Sequence, residues 1–325
     1  MLDADRELFE RELASFVPER IFDSHAHLYS RAHFRSTPPA AVACGPELAD
    51  LACFQREMAA MLPGRHVSGL FFGWPSTVVD LEANNALVAA EARRDPNSRS
   101  QMLIVPEMDP EWIRSEVRRS GFAGLKCYHV FAREKPTFEA AIPSYLPEEH
   151  VRIAHEEGLS ITLHMVRARA MADPLNQQVL RAWAEKYPNA RFILAHAARG
   201  FNPHHTVEGI GSLRGLHNIW CDTSAVTDCG AYEAIVRTFG VDRLLYGADF
   251  PVSHQRGRCV AVGDSFLWLS AENVDFRADY ASICPSLVGL ESLRVLKLAC
   301  LHLALSDSEV EKIFWGNAAV MYGLS

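Results

Sequence analysis

The sequence predicts a (β/α)8 barrel, the TIM-barrel fold, formed by residues 1–325 as a single domain. Eight short apolar runs alternate with segments of helical periodicity, and strand–helix alternation is typical of parallel βαβ units. Eight such units favour a sheet that closes on itself. An open doubly wound sheet is the alternative, but no glycine-rich phosphate-binding loop follows the first strand. A chain of 325 residues, 49% of them hydrophobic, is long enough for one large core.

Each predicted strand is a mostly apolar run that stops at glycine, proline or polar residues. In chain order the eight strands lie within residues 20–28, 66–75, 100–110, 122–130, 159–166, 190–200, 217–225 and 241–251. In a barrel of this type the active site lies at the carboxyl ends of the strands. The residues that end each run are therefore the first candidates for a functional site.

The segments between the strands have apolar residues at helical spacing and glycine or proline near their ends. The predicted helices cover residues 3–16, 47–62, 77–94, 110–120, 147–157, 173–187, 204–215, 231–239 and 306–322. Residues 29–50 contain TPP and CGPE and are predicted to form a loop over the end of the first strand. Residues 252–305 are predicted to form a mixed, largely helical insertion after strand eight.

Composition argues against several classes of protein. The formal net charge is −8 at pH 7 and no stretch is rich in lysine and arginine, so we expect no nucleic-acid partner. No apolar run approaches the roughly 18 residues of a membrane span, and the N-terminus lacks the features of a secretory signal. The eight cysteines are scattered without a CxxC pair, which is typical of reduced thiols. We therefore expect a cytoplasmic protein.

The first strand, RIFDSHAHL, ends in an HxH pair that is a candidate metal site. Alternate side chains of a strand point to the same face, so His25 and His27 would lie side by side with Asp23 in the same row. Two imidazoles held by one rigid element can both reach a single metal ion. The alternative is a strand end with two solvated histidines, and the HxH pair alone favours neither interpretation.

Polar residues at the ends of other strands favour the interpretation of the HxH pair as part of a functional site. They are Lys126, Tyr128 and His129 on strand four, His164 on strand five, His196 on strand six and Asp249 on strand eight. Taken singly, such a residue is more often a hydrogen-bonded structural group or a turn cap. Several of them at one end of a barrel indicate a site, because a polar side chain buried there without a partner is costly. Neutral imidazoles and a carboxylate suit Zn²⁺, Mn²⁺ or Fe²⁺, and an aspartate beside such an ion can act as a general base.

This pattern resembles the amidohydrolase superfamily of metal-dependent barrels. The resemblance rests on HxH ending strand one, single histidines ending strands five and six, and aspartate ending strand eight. The C-terminal IFWGNAAVMYGL is similar to the GNAxxxxGL ending of the amidohydrolase-related branch, also called amidohydrolase 2. That branch includes aminocarboxymuconate-semialdehyde decarboxylase and several lactone hydrolases. The resemblance covers nearly the whole chain, from about Ile21 to Leu324.

The resemblance implies roles for the residues at the strand ends. His25, His27 and Asp249 would bind one divalent metal, zinc before manganese or iron, with His164 as a further ligand. His196 would polarise the substrate or steer the attacking water. Asp249 would take a proton from the metal-bound water and pass it to the leaving group.

Lys126 leaves two arrangements open. In binuclear members of the superfamily a lysine ending strand four is carboxylated and bridges two metals. In the amidohydrolase-related branch a lysine in a similar context occurs in proteins taken to be mononuclear. We favour one metal per chain, with Lys126 or His129 contacting the substrate.

Arginines just past the strand ends predict a small anionic substrate, because arginine binds carboxylates in a bidentate fork. The candidates are Arg167, Arg169, Arg199 and Arg256. The alternative for each is a solvated loop charge paired with a nearby acid. Trp74, Tyr128 and Phe131 could supply apolar or stacking walls to the pocket.

Three functions follow from these observations. The first, which we favour, is metal-dependent hydrolysis of a small, carboxylated lactone, ester or amide. The second is non-oxidative decarboxylation of an aromatic or muconate-type acid at the same metal. The third is a catalytically inactive barrel used for binding, which the full set of ligand-type residues argues against. Family habit suggests a homodimer.

Overall fold

The structure is a computed structural model, and it describes residues 1–271, 273–276 and 284–325. Its main sheet contains the eight predicted strands: β1 Arg20–Ser30, β2 His66–Gly73, β3 Arg99–Leu103, β4 Gly124–Tyr128, β5 Ser160–His164, β6 Arg191–Leu194, β7 Ile219–Asp222 and β8 Leu244–Leu245. Each strand pairs in parallel with the next one along the chain. A two-residue strand, Leu48–Ala49, pairs antiparallel with the end of β1. The predicted strand order is confirmed.

Hydrogen bonds between β1 and the chain that follows β8 close the sheet into a barrel. Three backbone bonds of 2.8 Å form this seam: Ser24 N to Tyr246 O, Asp249 N to His25 O, and His27 N to Phe250 O. The Ala248 amide also donates to Oδ1 of Asp23 at 2.8 Å. The two HxH residues and the strand-eight aspartate are therefore held on opposite sides of one seam.

Helices cover the outside of the sheet. They are α1 Asp3–Leu8, α2 Leu51–Met61, α3 Leu81–Ala92, α4 Pro110–Ser120, α5 Glu148–Glu157, α6 Pro174–Lys186, α7 Pro203–Gly209, α8 Cys229–Phe239, α9 Val288–His302, α10 Asp307–Glu311 and α11 Asn317–Tyr322. Asp50, Asp80 and Asp109 cap the first turns of α2, α3 and α4 through their side chains. The predicted α4 matches residue for residue, and Gly121 ends it in the left-handed conformation. None of the helices in the described ranges is long and apolar enough to cross a membrane.

The insertion after strand eight differs from the sequence prediction. Instead of helix, Arg258–Val262 (β9) and Ser265–Leu269 (β10) form an antiparallel hairpin. Its two-residue turn is Gly263–Asp264, with Gly263 at φ +56°, and a glycine that opens a two-residue turn is a hairpin signal. In the described part of the insertion, Val252–His254 forms one turn of 3-10 helix and α9 is an α-helix, as predicted for a largely helical stretch. Residues 277–283, also within the predicted insertion, lie outside the described residues.

The C-terminal helix fills the end of the barrel opposite the histidines. Ala318 and Met321 of α11 form one buried cluster with inward-facing residues of the strands. Those residues are Phe22 of β1, Leu70 and Phe72 of β2, Ile193 of β6 and Leu245 of β8. With this end packed shut, the carboxyl ends of the strands are the open face.

Candidate metal centre and active site

His25, His27 and Asp249 meet at the carboxyl end of the barrel. Asp249 Oδ1 lies 3.6 Å from His25 Nε2 and 3.5 Å from His27 Nε2. All three side chains are at least 90% buried. Because β1 carries the histidines and the segment after β8 carries the aspartate, the seam itself brings the three ligand-type groups together.

Hydrogen bonds at the other ring nitrogens fix the tautomers of both histidines. His25 Nδ1 lies 2.8 Å from Asp222 Oδ2, and His27 Nδ1 lies 3.0 Å from the Gly73 carbonyl oxygen. A carboxylate or carbonyl at Nδ1 only accepts, so Nδ1 carries the proton and Nε2 keeps its lone pair. A Cβ at Gly73 would lie 1.7 Å from Asn84 Nδ2, so only glycine fits where this carbonyl holds His27.

The charge states of these groups suit a divalent cation. Burial lowers the pKa of His25 to about 3 and also lowers that of His27, so both rings are neutral at pH 7. Burial alone would raise the pKa of Asp222, but the neighbouring His25 ring and Ser224 hold it at about 2. Two neutral imidazole lone pairs facing a carboxylate form a donor set that fits Zn²⁺, Mn²⁺ or Fe²⁺.

Lys126 of β4 lies directly beside this donor set. Its Nζ is 3.3 Å from His25 Nε2 and 4.3 Å from the centre of the Phe72 ring, and the side chain is fully buried. No carboxylate lies within ion-pair distance of its ammonium group in the described structure. Burial therefore lowers the pKa of Lys126 to about 8. A lysine in this position is in reach of a group bound at the same centre.

His196 is held by an unusual backbone turn at the end of β6. Residues 196–199 all have positive φ, between 52° and 58°, which is a left-handed turn without glycine. Two buried bonds oppose its strain: the His196 amide donates to Asp222 Oδ1 at 2.8 Å, and Thr206 donates to the Ala197 carbonyl at 2.9 Å. His196 Nδ1 lies 3.0 Å from the Ser224 carbonyl oxygen, so this ring also keeps its lone pair on Nε2.

His164 packs in an aromatic cluster next to the centre and lies outside the group of converging ligand atoms. Its ring centre is 4.5 Å from that of Tyr128, 5.0 Å from that of His196 and 5.5 Å from that of His129. Its Nδ1 is buried without a hydrogen-bond partner, and burial lowers its pKa. His164 belongs to neither of the two buried ligand clusters found among the described residues, which are His25–His27–Asp249 and His25–His196–Asp222. Its predicted role as a metal ligand stays a prediction.

A cavity of about 310 Å³ opens above the centre. Its lining includes His25, His27, Trp74, Tyr128, His129, Phe138, His196 and Asp249. The predicted pocket residues Trp74, Tyr128 and His129 are thus in place, and Trp74 lies 4.8 Å, ring centre to ring centre, from His27. Phe131, predicted as a possible wall, is not among the lining residues, whereas Phe138 is. The cavity is wide enough for a small molecule that carries one ring.

Most of the arginines proposed as substrate ligands are paired with acids. Arg167 donates to Asp173 at 2.8 Å, Arg169 pairs with Glu208 and Arg256 pairs with Asp5. Arg167, predicted to bind substrate, does not line the cavity, because Asp173 at the start of α6 and the Glu139 carbonyl satisfy its guanidinium.

Arg199 is different from these paired arginines. Within the described chain, no carboxylate lies within ion-pair distance of it, and the one hydrogen bond it makes goes to the Met165 carbonyl at 3.2 Å. Arg199 is not itself among the residues that line the cavity, but its guanidinium carbon is 5.9 Å from the ring centre of Phe138, which lines it, and 5.6 Å from that of Phe266 on the hairpin. Burial lowers its pKa. A largely buried cation without a counter-charge favours an anionic ligand.

Sequence analysis missed the residues that orient the centre. Asp222 ends β7 and binds His25, the His196 amide and Ser224, yet it was not singled out. Ser224 Oγ lies 2.5 Å from Asp222 Oδ1 and 2.9 Å from His196 Nδ1. The signal for Asp222 was present, since it follows the apolar run IWC just as Asp249 follows another. The left-handed turn at residues 196–199 carried no comparable signal.

A barrel with a buried His–His–Asp centre at its carboxyl end defines a class of metal-dependent enzymes. The amidohydrolase family profile matches residues 22–324, and the chain belongs to this family. It is therefore an enzyme of the amidohydrolase type, which comprises hydrolases and decarboxylases.

Individual proteins resemble the chain more distantly. L-fucono-1,5-lactonase of Burkholderia ambifaria is 25% identical over 215 residues, covering 61% of this chain and 59% of the lactonase. A zinc-bound amidohydrolase from Burkholderia multivorans has a TM-score of 0.59 at 14% identity, over 94% of this chain and 99% of that one. The 5-carboxyvanillate decarboxylase of Sphingomonas paucimobilis has a TM-score of 0.55 at 14% identity, over 95% and 100%. These structural similarities show the shared fold.

Proposed function

We propose that the protein hydrolyses the ring ester of a small, carboxylated lactone, at a centre that holds one divalent cation, zinc before manganese or iron. The observation that carries this proposal is the convergence of the His25 and His27 Nε2 lone pairs on Asp249 at the base of a cavity. The sequence similarity to L-fucono-1,5-lactonase and the zinc in the Burkholderia multivorans amidohydrolase support it.

In this proposal His25, His27 and Asp249 hold the cation, and His164, whose ring centre is 5.0 Å from that of His196, is a candidate further ligand. A cation there supplies Lewis-acid polarisation of a carbonyl group and lowers the pKa of water. We keep the mononuclear arrangement, in which Lys126, with Nζ 3.3 Å from His25 Nε2, stands beside the cation as an unmodified amine.

Asp249 carries the proton during hydrolysis, and His196 and Lys126 position the reacting groups. Water adds to the lactone carbonyl carbon, and Asp249 accepts the water proton at a carboxylate oxygen. The ring C–O bond then breaks, and the same proton passes from Asp249 to the leaving alkoxide, which gives a hydroxy acid. His196, with an acceptor lone pair on Nε2, can orient the water, and Lys126 can donate a hydrogen bond to the developing oxyanion.

Substrate binding is assigned to the cavity walls and to Arg199. Trp74 and Tyr128 offer flat faces to a ring, and His129 lies beside Tyr128 with ring centres 4.8 Å apart. Arg199 lacks a carboxylate partner and lies next to Phe138 at the cavity, so it is the group we expect to bind the substrate carboxylate. Arg167 is not included, because Asp173 already neutralises it.

The test is a panel of lactones with and without a carboxylate, followed by proton release and by CO₂ release. We expect acid release without CO₂, and loss of activity in Asp249→Asn. Arg199→Met should raise KM for carboxylated lactones by about tenfold or more but leave neutral lactones unaffected. Arg167→Met is the matched control and should leave both unchanged.

Two results of this panel would contradict the proposal. Release of CO₂ from aromatic acids, with no lactone turned over, would favour the decarboxylase alternative at the same centre. An unchanged KM in Arg199→Met would remove Arg199 from substrate binding while leaving the hydrolase assignment in place.

A further inference from the structure

A second group of metal-type side chains lies on the outer surface of the barrel. Cys229 and Glu233 stand one turn apart on α8, and His302 ends α9. One sulfur, one oxygen and one nitrogen atom from these residues lie within 4.8 Å of one another. None of the three residues lines the cavity above Asp249.

The three side chains already meet in the structure, where His302 and Glu233 form a direct ion pair. Glu233 Oε1 lies 2.8 Å from His302 Nδ1, and residues four apart on a helix share a face, which places Cys229 beside both. Arg237 lies 3.3 Å from the other oxygen, Oε2, so Oε1 remains available to the cluster. Thiolate, imidazole and carboxylate are the three ligand types that zinc takes in proteins.

We propose that Cys229, Glu233 and His302 bind one divalent cation of the zinc type, separate from the centre inside the barrel. Water completes the four-coordinate shell, since the protein supplies three ligands. The thiol proton of Cys229 is released to solvent when the sulfur binds the ion. Burial, with Asp228 and Glu233 nearby, raises the pKa of this thiol, so the proton is present until the cation displaces it.

The ion would link two elements that are far apart in sequence. It joins the first residue of α8 to the last residue of α9, and these helices pack against each other beside the described hairpin and barrel. Binding to the folded chain alone stabilises that chain by mass action. A purified protein with two zinc ions per chain would then not by itself indicate a binuclear active site with carboxylated Lys126.

The two sites differ in one property that can be measured directly. The centre inside the barrel offers only nitrogen and oxygen ligands, whereas the surface site offers the sulfur of Cys229. A thiolate bound to Co²⁺ gives a sulfur-to-cobalt charge-transfer band in the near ultraviolet. Titration of the chelator-treated full-length protein with Co²⁺ therefore reports the surface site alone.

We expect this band to appear and to saturate at one equivalent of sulfur-bound cobalt. Cys229→Ser should abolish it and leave lactone hydrolysis unchanged, and the matched variant Cys44→Ser, at an exposed thiol outside all the clusters, should retain it. His302→Ala, a change at a half-exposed helix end, should weaken cobalt binding at this site by at least about tenfold. Zinc should raise Tm in the unsubstituted protein by more than in His302→Ala.

Three outcomes would overturn the proposal. They are no charge-transfer band in the unsubstituted protein, a band that persists in Cys229→Ser, and a cobalt affinity that His302→Ala leaves unchanged. If Cys229→Ser does not fold, the His302→Ala titration decides the question alone. None of these results depends on which reaction the barrel catalyses.

Discussion

Asp222→Asn tests whether a carboxylate behind His25 prepares the metal centre. Aspartate and asparagine side chains have the same shape, but every group that contacts the Asp222 carboxylate donates a hydrogen bond to it. Oδ2 faces His25 Nδ1 at 2.8 Å, and Oδ1 accepts from the His196 amide at 2.8 Å and from the Ser224 amide at 3.1 Å. Whichever way the new amide turns, its NH₂ group meets a donor.

The cheaper orientation places the NH₂ group against His25. His25 can respond by moving its proton to Nε2, whereas the backbone amides of His196 and Ser224 cannot change, and leaving a buried donor unpaired costs about 1–3 kcal/mol. The new proton then occupies the nitrogen that faces Asp249, at 3.6 Å. Loss of an orienting partner of this kind lowers metal affinity by about 10–100-fold, or roughly 1.4–2.7 kcal/mol.

The assay is a competition titration of chelator-treated protein with zinc and a chromophoric chelator. The matched control is Asp264→Asn, which alters another Asp–His pair of 2.8 Å, between Asp264 on the hairpin and His205 of α7. The reasoning is refuted if Asp222→Asn binds zinc as tightly as the unsubstituted protein, or if Asp264→Asn loses as much affinity. Thermal unfolding of both metal-free variants separates a local effect from general destabilisation.

Two further predictions concern the stability of the metal-free protein. Burial lowers the pKa of Lys126 to about 8, and holding this lysine protonated in the folded protein costs on the order of 3 kcal/mol at pH 7. Lys126→Met should therefore raise the free energy of unfolding, measured in urea, while it lowers kcat. A variant that is less stable than the unsubstituted protein would contradict this. Burial lowers the pKa of His25 to about 3 in the folded protein, whereas the same ring has a pKa of about 6.5 in the unfolded chain. As the pH falls below about 6.5, His25 therefore binds a proton in the unfolded state alone. Stability should therefore fall by about 2 kcal/mol between pH 6.5 and pH 5 from His25 alone, and urea unfolding curves that coincide at both pH values would exclude this coupling.

The sequence predicted the fold and the centre of the site because both rest on short-range patterns. Apolar runs of strand length and helix signals such as Asp109–Pro110 with Gly121 depend on neighbouring residues, so they survive in a single sequence. The HxH pair gains its meaning from strand alternation, which is equally local. Closure of a barrel then brings Asp249 to the two histidines without further information.

What the sequence did not predict depends on contacts between distant segments. Arg167 and Arg199 look alike in sequence, and only the position of Asp173 at the start of α6 shows that the first is neutralised. The left-handed turn that follows β6 contains no glycine that would predict it from the sequence. Hydrogen bonds to Asp222 and Thr206, which lie elsewhere in the chain, stabilise it instead. Gly263–Asp264 is a local signal for the hairpin, but its two strands fall within residues 252–305, which were predicted to be mixed and largely helical.

The seam between β1 and the segment after β8 is also the place where we expect local unfolding of the barrel to begin. β8 has only two residues, and the backbone bonds that follow it run beside the ligands of the proposed cation. A cation held from both sides would cross-link the two edges of the sheet, so its removal should favour opening there first. An opened barrel presents two unpaired strand edges, which are templates for pairing with other chains. Aggregation during storage would then follow the loss of metal, and hydrogen exchange at the amides of Ser24 and His27 would be its earliest sign.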